Sequence, residues 1–149
     1  MTLHDAAGET CVFCEIAAGR MAASVVYRDE RTLAFVDLRQ FHPGHTLVVP
    51  LRHVHDVRQI DFETGAALMA TVARIARAVS TAFPNRGLSV WHSIGEAAFQ
   101  EVGHLHFHIH PRLPDDAVLR VYPHTPDTPD RCALDAYAAR LRAALESAR

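Results

Sequence analysis

The sequence has no apolar run near the roughly 18 residues that a membrane-spanning helix needs, so no membrane span is expected. It also lacks an excess of positive charge. The formal net charge is −2 with neutral histidines, which argues against a broad electrostatic grip on nucleic acid. Its first residues, Met1-Thr-Leu-His-Asp5, hold neither the basic nor the apolar region of a secretory signal. There is no internal repeat, low-complexity tract or dividing linker. These absences point to a cytoplasmic chain forming one domain over residues 1–149, with residues 1–10 frayed and residues 111–149 a C-terminal loop and helix. What is present suits a real core: 49% of residues are hydrophobic and 21% charged.

Cysteine is scarce, with three in all. Cys11 and Cys14 form C-x-x-C near the start, and Cys132 stands apart. In a reducing compartment this pair points to metal or redox chemistry rather than a structural disulfide. Thioredoxin-like use would place it after a strand of a βαβ unit. Here it opens the ordered part of the chain, which disfavours a redox protein.

Patterning predicts a short helix over Cys11–Ala18, ended by Gly19. Two β-rich runs, Ser24–Arg28 and Thr32–Asp37, read as a hairpin. His42-Pro43-Gly44 reads as a turn before a third strand, His45–Pro50. A long helix is predicted from an Asp61 cap to about Phe83, with Met69, Val72, Ala76, Val79 and Phe83 as its apolar stripe. Leu88–His92 and Gly103–His110 read as the fourth and fifth strands. A proline- and aspartate-rich stretch leads to a last helix capped by Asp130 and ending near Ala148. Strands and helices segregated in this way indicate an α+β fold with an antiparallel sheet.

Histidine is the residue in excess. There are eleven, and His104, His106, His108 and His110 fall within one short segment. On a strand alternate side chains share a face, so all four line one side while Leu105, Phe107 and Ile109 line the other. Residues two apart on a strand are about 6.5–7 Å apart and residues four apart about 13 Å. A single metal with bonds near 2 Å cannot hold His104, His106 and His108 together on a straight strand. The row therefore serves at least two purposes. An imidazole is largely unprotonated near neutral pH and attacks phosphorus competently. A neighbouring imidazole can bond phosphate oxygens or pass a proton to a leaving group.

H-x-H-x-H followed by an apolar residue and Pro-Arg resembles the signature of the histidine triad (HIT) family. The likeness runs from about Cys11 to Arg112. Cys11-Val-Phe-Cys14-Glu-Ile16 resembles the family's first helix. Thr32-Leu-Ala-Phe-Val-Asp37 and Pro43-Gly-His45-Thr-Leu-Val-Val-Pro50 with His53 resemble its central strands. The resemblance implies a five-stranded sheet with two main helices, and a homodimer in which two sheets join into one of ten strands. It implies a nucleotide hydrolase or transferase in which His106 attacks the α-phosphorus. A nucleotidyl-histidine forms, and water opens it to release a nucleoside monophosphate. His108 would contact α-phosphate oxygens, His45 would sit beside the nucleophile, and Gln100 and Val102 would shape the phosphate pocket. Asp37 would bind the ribose hydroxyls, and Phe13, Ile16 and Leu38 would wall the base, expected to be a purine. Asp37 could equally cap the turn at Leu38-Arg39, and Phe13 and Ile16 could be plain core residues.

Members with the cysteine pair imply a structural zinc held by Cys11, Cys14, His53 and His104, with His55 as a competing ligand. That division leaves His106 and His108 for chemistry. Three positions depart from the family. Glu101 replaces a small polar residue, and a carboxylate there would repel phosphate unless it turns away or is protonated. Phe99 replaces a frequent glycine, and Ser93 replaces an asparagine that helps hold substrate in some branches. Phosphoramidase and dinucleoside polyphosphate hydrolase both stay open, as does a nucleotide-binding adaptor with little turnover.

Overall fold

The computed structural model describes residues 11–118 and 122–148, which fall into two compact units. The segment expected to fray, 1–10, lies outside the described residues.

In the first unit, α1 (Val12–Ala17) is followed by β1 (Val25–Arg28), β2 (Thr32–Val36), β3 (Thr46–Pro50), α2 (Phe62–Ala82), β4 (Gly87–Trp91) and β5 (Phe107–Arg112). The five strands form one antiparallel sheet in the order β1-β2-β3-β5-β4. The α+β expectation holds. The second unit carries α3 (Arg131–Ser147), whose cap Asp130 accepts from the Ala133 amide at 2.8 Å.

α2 starts where the sequence places it, because Asp61 accepts from the Thr64 amide at 2.8 Å and satisfies an orphan donor of the first turn. Its inward face, however, is Leu68, Val72, Ile75 and Val79. Met69, expected inside, is half exposed, and Phe83 lies at the margin. The true stripe runs at spacings of four, three and four; it shares Val72 and Val79 with the predicted one and takes Leu68 in place of Met69. It packs on Ala34, Val48, Leu105 and Ile109 to form the larger core. Full burial of each large aliphatic side chain contributes about 1.5–3 kcal/mol. On the other face Leu33, Phe35, Leu47 and Val49 pack with Cys11 and Phe13 of the α1 region. Each central strand thus alternates between two apolar layers, which accounts for its nearly unbroken hydrophobic run.

The fifth strand begins at Phe107, not Gly103, and continues through Pro111 and Arg112. Residues 103–106 leave the ladder because Leu105 donates to the Val54 carbonyl at 2.6 Å and His104 turns toward the cysteines. Pro111 is tolerated because β3 pairs with β5 only as far as Ile109. On its other side Pro111 lies opposite Leu88 of β4.

Candidate active site

The histidines gather on the face of the sheet that carries α1. His106 sits just before β5 and is 6% exposed. Its Nδ1 lies 2.7 Å from the His104 carbonyl. A carbonyl only accepts, so Nδ1 carries the proton and Nε2 keeps the lone pair. The Phe13 ring meets His106 edge-on at 5.2 Å, and the His108 ring lies 4.9 Å away. Burial pushes His106 below the usual histidine range, against the bond to His104. His92 donates from Nδ1 to the His106 carbonyl at 3.1 Å, bracing the same peptide.

His45 is placed by the loop between β2 and β3. Gly44, at φ +109°, allows the turn, and a side chain there would meet the Phe83 ring at 2.6 Å. Gln40 ties the loop together: its amide donates to the Asp37 and His45 carbonyls at 2.7 and 2.8 Å, and its oxygen accepts from Gly44 and His45. His45 donates from Nδ1 to the Arg39 carbonyl at 3.1 Å. Its Nε2 is therefore an acceptor, and His108 donates to it from Nδ1 at 2.9 Å. The Trp91 indole, paired with His108 across β4 and β5, stacks on the His108 ring at 4.4 Å and 6°. Burial first, then the neighbouring His106, His45 and His92, pushes His108 down to about 3. Burial likewise lowers His45, while Asp37 opposes it. The site is thus a cluster of imidazoles that are neutral near pH 7.

The other expected ligand contacts are placed as follows. Asp37 Oδ1 accepts from the Arg39 amide at 2.8 Å, so Asp37 does cap its turn, and Oδ2 lies 3.8 Å from His45 Nδ1. Phe13 is buried against Phe35, His104 and His106, and Ile16 packs at the margin of that cluster. Leu38 is 99% exposed. Val102 packs against the α1-side core. Ser93 lies two residues past β4. Gln100 is buried, with its amide donating to the His55 carbonyl at 3.0 Å and its oxygen accepting from Gly95 at 2.9 Å. It holds the loop ahead of His106. Glu101 is neither protonated nor turned inward. It forms a two-pronged ion pair with Arg39, which lowers its carboxyl below the usual range.

Cys11, Cys14, His53 and His104 offer ligand atoms that all lie within 4.8 Å of one another. His104 donates from Nε2 to the Pro50 carbonyl at 2.9 Å, so its Nδ1 lone pair faces the thiols. Cys11 Sγ is 3.4 Å and Cys14 Sγ 3.5 Å from that nitrogen, and Cys14 Sγ is 3.4 Å from His53 Nδ1. A tetrahedral zinc with Zn–S near 2.3 Å and Zn–N near 2.05 Å sets S···N at about 3.5 Å. The donor set and spacing fit such an ion, and Pro50 supplies the outer contact that orients a metal-bound histidine. His55 faces Asp56 instead, at 3.1 Å. Burial and the adjacent Cys11 thiol push the Cys14 thiol up to about 11.

The HIT domain profile matches residues 18–115 of the chain. This chain belongs to the HIT family. Among curated relatives, Protein hit of Bacillus subtilis (strain 168) is 42% identical over 104 residues, covering 70% of this HIT chain and 72% of its own length. Adenosine 5'-monophosphoramidase hnt1 of Schizosaccharomyces pombe is 29% identical over 122 residues, covering 81% and 89%. A crystal structure of a HIT family member from Bacillus subtilis superposes with a TM-score of 0.84 at 36% identity, covering 90% of this chain and 96% of that one.

Three parts of this HIT site escape sequence reading. Gln40 looks like an ordinary loop residue, and only the fold shows both ends of its amide used. Arg39 gives no local sign of reaching Glu101, 62 positions away. Trp91 reads as core, yet it stacks on His108. Here a signal exists, because a strand antiparallel to the histidine row must set one of its residues opposite His108.

Proposed function

We propose that this chain cleaves a phosphoramidate or phosphoanhydride bond at the α-phosphate of a nucleotide, through a covalent nucleotidyl-histidine on His106. The observation that carries this reading is the Nδ1–H bond from His106 to the His104 carbonyl, which leaves Nε2 unprotonated beside two further imidazoles. A buried neutral imidazole is a ready nucleophile and needs no base to activate it. Nε2 attacks phosphorus in line with the leaving group, and the bond to that group breaks as the N–P bond forms. Water then displaces the histidine, releasing a nucleoside monophosphate and restoring Nε2.

His108 contacts the α-phosphate. Burial keeps it neutral, and it gains proton affinity when the phosphate's negative charge enters, because that charge opposes the effect of burial. His45 receives the His108 Nδ1–H bond and is itself anchored on Arg39, so it orients His108 for this task. Asp37 takes the ribose, Phe13, Ile16 and Leu38 wall a base, Gln100 and Val102 shape the phosphate pocket, and Ser93 lies along its edge. The name of the fission yeast relative, an adenosine 5'-monophosphoramidase, supports a purine nucleotide with a phosphoramidate bond. A structural zinc on Cys11, Cys14, His53 and His104 holds α1 against the sheet, and two chains pair as a homodimer.

Release of adenosine monophosphate from adenosine 5′-phosphoramidate and from a diadenosine polyphosphate, beside His106→Ala, tests the reading. Turnover of either substrate, lost in the variant, is the expected result. Binding of the monophosphate without turnover would make the chain a nucleotide-binding adaptor, and no binding would overturn both.

A further inference from the structure

The loop carrying Asp37 and the loop carrying Gln100 lie far apart in the chain, and each serves the histidines: the first anchors His45 through the Arg39 carbonyl, and the second leads into His106. One ion pair joins them, between Arg39 and Glu101. Arg39 belongs to the site through its backbone: its amide bonds Asp37, and its carbonyl receives His45. Glu101 follows Gln100, whose clamped amide fixes where the carboxylate emerges. Both side chains are solvent-exposed, at 77% and 61%, so the pair faces solvent and not the core.

A guanidinium at this position would bind any phosphate lying beyond the α-phosphate, bidentately and strongly. Glu101 occupies that fork with its own carboxylate. An exposed ion pair is weak and opens readily, so the pair imposes a bias and not a block. Its charge is balanced while closed. An amine leaving group therefore meets no net charge, whereas a phosphate must displace Glu101 and then lie close to it.

We propose that Arg39 and Glu101 form a charge gate that selects the leaving group. Glu101 withholds Arg39, so the site favours nucleotides with an uncharged or cationic leaving group over those with a further phosphate. This rests on the nucleotide reading above and deepens it.

Calorimetric binding of adenosine monophosphate and adenosine diphosphate separates the two ideas. In Glu101→Gln the freed Arg39 should tighten the diphosphate by about fivefold or more while the monophosphate shifts less than about twofold. In the double variant Arg39→Gln/Glu101→Gln that gain should vanish, and melting temperature should confirm that both variants fold. Equal shifts for the two nucleotides, or a gain that survives in the double variant, would overturn the gate and leave the nucleotide reading standing. Failure of the wild-type protein to bind either nucleotide would overturn both.

Discussion

His104 and His106 stand two residues apart in one segment, yet their rings donate from opposite nitrogens. His104 gives its Nε2–H to Pro50 and turns Nδ1 toward Cys11 and Cys14, while His106 gives its Nδ1–H to the His104 carbonyl and keeps Nε2. The same side chain thus belongs to a cluster of candidate metal ligands at one position and is the proposed nucleophile at the other. The choice is made by which backbone carbonyl lies within reach. The two clusters share Phe13, which meets both rings, but they share no ligand atom. They should therefore fail separately.

The largest expected effect breaks the chemical half alone. His106→Ala should lower turnover by about 10³-fold or more, with zinc content and melting temperature nearly unchanged. Steady-state assay beside metal analysis would show it, and near-wild-type turnover would refute the nucleophile. Next, Cys14→Ser should break the other half. Zinc content should fall and the melting temperature drop by about 10 °C or more, while the protein still folded keeps its activity per molecule. Zinc-free wild-type protein, purified without chelator, would refute that half. Trp91→Ala sharpens the boundary. Loss of the stacking face should weaken activity by about two- to tenfold through His108, without changing metal content.

The smallest effect is in pH dependence. His108 titrates near 3 in the folded protein, and His45 is also lowered, against about 6.5 in an unfolded chain. Between those values the unfolded chain binds more protons, so stability is full above about 6.5 and falls as the pH drops toward 3. The groups facing His108 are His106, His45, His92 and Arg39, and those facing His45 include Asp37 and Arg39. Melting curves from pH 7 to 5 should therefore decline, with a shallower slope in His108→Gln. An unchanged slope would place the sensitivity elsewhere.

Much of this was legible in order and type. The strands alternate or run apolar as buried strands must, and Asp61 and Asp130 cap their helices where simple capping chemistry puts them. The errors came where local pattern met tertiary demand. Met69 fits a helical stripe as well as Leu68 does, and only the position of the sheet selects Leu68. Gly103–His106 has the alternation of a strand, but a bond to Val54 and the pull of the cysteine cluster take it out of the ladder.

The sequence by itself determined the class of fold and the presence of the histidine row, because alternation and residue identity are local facts. The tertiary structure decided which nitrogen of each imidazole holds the proton, that His53 and not His55 faces the cysteines, and that Glu101 is neutralised by Arg39. Each of these depends on a partner more than thirty residues away in the chain or on a carbonyl presented by a turn. No spacing along the sequence encodes a contact that exists only once the sheet has brought distant loops together.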